Sequence, residues 1–154
     1  MRDHWRSRLG RWRKRLSVRF QKSRMPTGFT ATEFSVVCNG GVLVTTLATT
    51  STETDDFYLM LQHKKACDVQ DFKLGMHLPY IEYCGQGNSW YGHILLFVLR
   101  RDRISVQMDA EAADWLKSDG EIEVKFSLDS AELRELRLAI LETFNGYAYF
   151  RDEM

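Results

Sequence analysis

The stretch from Leu74 to Met108 constrains the fold of this chain more than any other part of the sequence. Within it, Gly92–Leu99 is almost wholly apolar, and such an unbroken run is typical of a central strand covered on both faces. A glycine-rich turn precedes this run and a charged turn follows it, so the stretch predicts three strands with short connections. Three strands are the minimum of a self-supporting antiparallel sheet. We therefore expect the rest of the chain to pack against this stretch.

Strand patterns also precede this stretch. Phe29–Cys38 and Val42–Thr49 flank an Asn-Gly-Gly sequence that begins at Asn39. An Asn-Gly step between β-branched runs predicts a tight hairpin. Phe57–Gln62 has large apolar side chains on both faces and predicts a further strand.

The chain after Met108 predicts a short helix and a strand. Asp109 is a suitable N-cap, and the glycine at position 120 ends a helix of about two turns. Glu121–Ser127 alternates charged and apolar residues, which is typical of a strand with one solvated face.

The clearest helix in the sequence lies near the C-terminus. Asp129 and Glu132 have the spacing of a capping box, and Asn145 with the following glycine ends the helix. Its apolar stripe consists of Leu133, Leu136, Ile140, Leu141 and Phe144. The sequence predicts neither a helix nor a strand for the aromatic tail that begins at Tyr147.

These elements together predict an α+β fold. We expect an antiparallel, meander-like sheet of about six to seven strands, with the C-terminal amphipathic helix packed on one face. Residues 1–27 form a basic arm that is disordered or an amphipathic helix, and residues 28–154 form a single α+β domain. A chain of 154 residues is long enough to bury about two thirds of its surface.

Charge is distributed unevenly along the chain. Residues 1–24 carry ten Arg or Lys and one Asp, and the remaining residues carry 11 basic and 20 acidic side chains. A +9 arm is therefore joined to a −9 body, although the whole chain is neutral.

The arm has the pattern of a basic amphipathic helix. Five apolar residues recur at helical spacing: Trp5, Leu9, Trp12, Leu16 and Phe20. Such a helix suits nucleic acid phosphates or an anionic membrane, which are the partners predicted for the arm. Three further interpretations stay open: the arm docks on the acidic body, it is a disordered leader, or translation starts at Met25.

The cysteines and the hydropathy pattern favour a cytoplasmic protein. Cys38, Cys67 and Cys84 are odd in number and lack C-x-x-C spacing, which is unlike a disulfide framework. No run approaches the ~18 apolar residues of a membrane span, and the start lacks a secretory apolar region.

Two groups of residues are candidates for a metal site or an enzyme active site. Four nitrogen and sulfur ligands lie in one third of the chain: His63, Cys67, His77 and Cys84. The gaps between them contain 3, 9 and 6 residues, whereas zinc ligands usually occur in pairs two to four residues apart. We therefore predict no metal and no cofactor.

A thiol nucleophile is the second enzyme hypothesis. It would use Cys84 in the glycine turn, with His93 as base and Glu82 as the group that orients it. However, a turn between strands requires glycine in any case, and no nucleophile signature matches. We predict that the protein is not an enzyme, and a Cys84-dependent or metal-dependent enzyme is the least favoured alternative.

An acidic segment follows the central stretch. Six carboxylates fall within fifteen residues, with one lysine among them: Asp109, Glu111, Asp114, Asp119, Glu121 and Glu123. Each alone is ordinary on a solvated face, but as a group they suit the steering of a basic protein partner or the mimicry of a phosphate backbone. We predict that these six residues bind the partner, together with the aromatic side chains of Trp90 and Tyr91.

The order of motifs in the body carries a resemblance to a known family. The motifs are Tyr58-Leu-Met-Leu-Gln, Leu74-Gly75, Tyr80-Ile-Glu82, Gln86, Gly92-x-Ile94 and Arg101-Asp-Arg103, followed by a short helix, an acidic strand and a closing helix. From about Phe57 to Phe144 this order resembles that of the bacterial polymorphic-toxin immunity proteins of the tenth numbered family. Two departures are His93, where a second glycine is expected, and the Arg-rich arm, which has no counterpart.

The resemblance implies a small cytoplasmic protein that binds a cognate toxin domain and blocks it by stoichiometric protein–protein interaction. The acidic body agrees with this implication, since a basic toxin domain would be its complement.

Overall fold

The computed structural model describes residues 26–50 and 57–154. The predictions made for the basic arm fall on residues 1–27, nearly all of which lie outside the described residues.

The described residues form ten strands and three helices. In chain order they are β1 (Gly28–Thr30), β2 (Glu33–Asn39), β3 (Val42–Thr49), β4 (Phe57–Lys64), α1 (Val69–Lys73), β5 (Tyr80–Tyr83), β6 (Ser89–Tyr91), β7 (Ile94–Leu99), β8 (Arg103–Met108), α2 (Ala110–Leu116), β9 (Glu121–Lys125), α3 (Ser130–Phe144) and β10 (Phe150–Asp152). No helix among them is both long and apolar enough to span a membrane.

The α+β class is confirmed, and the strands form two sheets of five rather than one sheet of six to seven. Sheet I has the order β1-β9-β8-β7-β10, and sheet II has the order β2-β3-β4-β5-β6. Neighbouring strands are antiparallel, except that β1 runs parallel to β9 and β10 runs parallel to β7. The aromatic tail, for which the sequence predicted no element, therefore supplies β10 as an edge strand of sheet I.

The central stretch crosses from one sheet to the other, contrary to the prediction of a single three-stranded unit. Its strands β5 and β6 belong to sheet II, and β7 and β8 belong to sheet I. The crossing occurs at Gly92 and His93, whose φ angles are +70° and +59°. Two successive left-handed residues redirect the chain, which explains why glycine is expected at both positions.

Strand β7 is covered less completely than its apolar sequence predicts. Phe97 and Leu99 are fully buried, but Leu95 is exposed. The pairing of β7 with β8 is irregular between Ile94 and Leu96, and Leu95 is the extra residue of this bulge.

The predicted strand Phe29–Cys38 is divided between the two sheets. Ala31 donates its backbone N–H to the Lys125 carbonyl of sheet I at 2.7 Å, and Thr32 donates to the Ala48 carbonyl of sheet II at 2.8 Å. The chain therefore changes sheets between two neighbouring residues.

One core joins both sheets and α3. The rings of Phe97 in sheet I and Phe144 in α3 stack with their centroids 4.0 Å apart, and α3 also contacts β2, β3 and β4. The predicted capping box is confirmed, because the Asp129 carboxylate accepts from the Glu132 N–H while the Glu132 carboxylate accepts from the Asp129 N–H. Leu136 and Ile140 of the predicted stripe are completely buried.

Candidate partner-binding surface

The start of α2 meets the crossover between the sheets. The Asp109 backbone N–H donates to the His93 carbonyl at 3.0 Å, because β7 and β8 bring these residues together. One Asp109 carboxylate oxygen accepts the Ala112 N–H at 3.0 Å as the N-cap of α2, and the other lies 2.7 Å from His93 Nδ1. The Ala112 N–H and the His93 ring hold the pKa of the Asp109 carboxyl below its usual range.

Helix α2 presents an exposed tryptophan among carboxylates. Ala112 and Leu116 are buried, so helical spacing places Glu111, Asp114 and Trp115 on the solvated side. The Trp115 side chain is 44% exposed, and its ring meets the His93 ring edge-on at 5.0 Å.

A second carboxylate also faces His93, since Glu111 lies 3.9 Å from its Nδ1. We call this group the α2 surface; its members are His93, Asp109, Glu111, Asp114 and Trp115.

The remaining predicted carboxylates belong to a separate group. Asp119 is exposed in the connection between α2 and β9, while Glu121 and Glu123 project from β9 on the face opposite the buried Ile122 and Val124. The Glu121 carboxylate accepts from the Gln107 side chain at 3.2 Å.

Glu123 already has basic neighbours. It lies 3.5 Å from the Arg103 guanidinium and 3.8 Å from the Lys125 ammonium. The structure thus brings Asp109 and Glu111 together around His93, and leaves the β9 carboxylates with partners of their own.

The two predicted aromatic residues occupy different environments. Trp90 is only 5% exposed and belongs to the shared core, so its ring is packed inside rather than displayed. Tyr91 is half-buried, and its ring lies 5.1 Å from that of Tyr80.

The sequence interpretation missed Trp115, which is the exposed tryptophan of this region. Its signal was the spacing of Ala112 and Leu116, which assigns Trp115 to the solvated side of a short helix.

The groups of the proposed thiol nucleophile are not brought together. Cys84 is fully buried, and burial raises the pKa of its thiol to about 12. Glu82 accepts hydrogen bonds from the hydroxyls of Tyr58 at 2.5 Å and Tyr80 at 2.7 Å, while His93 contacts Asp109. The thiol is therefore protonated at neutral pH, and the intended base and orienting group serve other contacts.

The four candidate metal ligands are also dispersed. The His77 ring stacks on Phe72 at 4.6 Å, and Cys67 lies against the Lys64 carbonyl. In the part of the chain that the structure describes, no group of three or more His, Cys, Asp or Glu side chains is placed to hold a metal ion.

A comparison with known protein families gave a match. A family model described as Immunity protein 10 matches residues 30–134, about two thirds of the chain. The matched region runs from the end of β1 into α3 and contains the whole α2 surface, but it leaves out the basic arm and β10. No curated protein and no solved structure matches the chain.

Proposed function

Because the chain belongs to the Immunity protein 10 family, we propose that it binds a cognate toxin domain and neutralises it as a stoichiometric complex. Family membership supports an immunity role, and the observation that supports a location for binding is the exposed Trp115 among the carboxylates of α2. Tryptophan is enriched among the few residues that dominate interface energies.

The chemistry of the α2 surface favours a basic toxin. Asp109, Glu111 and Asp114 place three carboxylates on or beside one short helix, and the body as a whole carries −9. Complementary charge accelerates encounter and excludes wrong partners. If the toxin acts on nucleic acid, these carboxylates would bind the basic side chains with which the toxin contacts phosphates.

The α2 surface is pre-organised for binding. The Asp109 cap, the His93 contact and the buried Ala112 and Leu116 fix α2 before any partner arrives. Little conformational entropy is then lost on association, which favours tight binding. We propose that Tyr91 and the carboxylates of Asp119, Glu121 and Glu123 form a second part of the partner interface, separate from the α2 surface.

The proposal places the protein in the cytoplasm. All three cysteines are free thiols, and Cys38 is exposed. Free thiols of this kind are usual where the environment is reducing.

Co-expression with the protein encoded immediately upstream tests the proposed function. We expect this chain to relieve growth arrest caused by that neighbour, and the two proteins to co-elute in gel filtration. Trp115→Ala should weaken the complex by about 2 kcal/mol or more while leaving the protein folded. Leu138→Ala, at a 62% exposed leucine on α3, is the matched control and should bind normally. Arrest without relief, together with separate elution, would show that the proposal is wrong.

A second candidate function rests on the +9 charge of residues 1–24. We propose as the alternative that this arm attaches a regulatory protein to nucleic acid or to an anionic membrane. Binding to duplex DNA or to phosphatidylserine vesicles should then fall steeply with salt and disappear when residues 1–24 are deleted. Equal binding by the full and the shortened chains would rule this alternative out.

A further inference from the structure

The two sheets end in four edge strands of unequal length. Strands β1, β6 and β10 contain three residues each, whereas β2 contains seven. Very short edges offer few backbone groups to an added strand, which is one way that proteins prevent edge-to-edge pairing. Strand β2 lacks this protection.

The backbone of β2 has free groups on one side. The turn at Gly40 and Gly41, with φ of +59° and +77°, is a two-residue hairpin loop that makes Asn39 and Val42 a hydrogen-bonded pair. Since such pairs alternate along an antiparallel ladder, the N–H and C=O groups of Phe34, Val36 and Cys38 point away from β3. Among the described residues, no strand pairs with this edge.

The side chains of β2 do not block an added strand. Its sequence, Glu-Phe-Ser-Val-Val-Cys-Asn, contains no proline, lysine or arginine, and its one charge is at Glu33 at the first position. Prolines, charges and bulges are the usual means of protecting an edge.

We infer that β2 pairs with β2 of a second copy of this chain, antiparallel about a two-fold axis at Val36. In this register Val36 lies opposite Val36 of the second copy, and Phe34 lies opposite Cys38 of the second copy. The three residues whose backbone groups point away from β3 therefore all form hydrogen-bonded pairs. Sheet II of one copy and sheet II of the second copy then become one continuous sheet. A two-fold contact of this kind is closed and does not propagate into fibres.

The register is self-complementary in charge as well as in hydrogen bonding. On the outer face of sheet II, Glu33 stands opposite Asn39 of the second copy, and Ser35 stands opposite Val37. No like charges are paired. A second copy therefore fits this edge, whereas the acidic α2 surface suits a basic partner of a different kind.

The mass of the full chain in solution tests this inference. We expect light scattering to show a reversible rise from 18.0 kDa to twice that mass as protein concentration increases, because one strand pair is smaller than an interface of standard size. Val36→Pro should remain a monomer, since proline removes an N–H that the β2–β3 ladder does not use. Val36→Thr keeps the N–H and a similar shape, and should dimerise like the wild type.

A second measurement uses the unaltered protein and does not depend on any variant folding. Amide hydrogen exchange at Phe34, Val36 and Cys38 should slow as protein concentration rises. A wild-type mass of one chain at every concentration, or exchange that ignores concentration, would overturn the inference. A Val36→Pro chain that still dimerises would overturn it too, by assigning the contact to another surface.

A different result would identify another occupant of the edge. If the wild type is monomeric and its toxin complex is lost in Val36→Pro but kept in Val36→Thr, the toxin supplies the strand and the second-copy inference is wrong. Relief of growth arrest is scored separately, so failure of the dimer is distinguishable from failure of the proposed function.

Discussion

The carboxylate of Asp109 links helix α2 to the crossover between the sheets. The sequence predicts its capping role, because an aspartate before an alanine-rich helix is a local signal. It does not predict the His93 contact, since that contact needs β7 and β8 to bring together residues sixteen positions apart. One residue therefore fixes both the backbone of α2 and the ring beneath Trp115.

Replacing Asp109 should destabilise the protein in a pH-dependent manner. Asp109→Ala removes the N-cap and should lower the free energy of unfolding by about 1 kcal/mol, measured by urea denaturation at pH 7. Asp109→Asn keeps a capping oxygen and removes only the charge, so it should cost less.

The pH dependence follows from the lowered pKa of this carboxyl in the folded protein. A lowered folded-state pKa stabilises the protein above the unfolded-state value of about 3.9, and this contribution is lost as the pH falls through the folded-state pKa. The difference between wild type and Asp109→Asn should therefore shrink in acid. A difference that stays constant from pH 7 to pH 3 would contradict this account.

The elements differ in how far local sequence determines them. The limits of α3 and the β2–β3 hairpin were predictable, because a capping box, an apolar stripe and an Asn-Gly turn act within a few residues. The parallel strands β1 and β10 were not, since each has three residues and its partner is distant in sequence: Gly28 pairs with Glu123, and Phe150 pairs with Phe97. The burial of Trp90, which was predicted to bind the partner, was not predictable either, because it depends on packing in the core that both sheets share.

Helix α3 should contribute to stability through its buried face, which includes the Phe144 ring. Phe144→Ala removes a fully buried side chain that stacks on Phe97, and should lower the free energy of unfolding by about 3–5 kcal/mol. Leu138 lies on the exposed side of the same helix. Leu138→Ala should therefore change the free energy of unfolding by less than about 0.5 kcal/mol. Urea denaturation of both variants measures the difference; equal losses would show that α3 does not anchor the core through this face.

The neutral net charge of the chain is the sum of two segments with opposite charge, the +9 arm and the −9 body. Long-range steering of a charged partner depends on the summed charge of a protein. The +9 arm therefore offsets the −9 body whenever a basic partner approaches.

Removing the arm should accelerate association with a basic toxin. A chain that starts at Met25 carries −9 instead of zero, so its association rate at low salt should exceed that of the full chain by about tenfold or more. Stopped-flow measurements across a salt series test this. Above about 0.5 M salt, screening should make the two rates equal. Equal rates at low salt would show that the arm does not influence encounter.

The two sheets are completed at different points during synthesis of the chain. Sheet II uses one continuous segment from β2 to β6, which is complete once Tyr91 has left the ribosome. The edge strands of sheet I come from the two ends of the body. Strand β1 can pair only after β9 has been synthesised, and β7 gains its edge partner only with β10, which ends at Asp152. Helix α2 is attached to this later sheet. A chain interrupted before Phe150 would thus hold a finished sheet II beside an open sheet I, so sheet I is complete only after β10 has been synthesised.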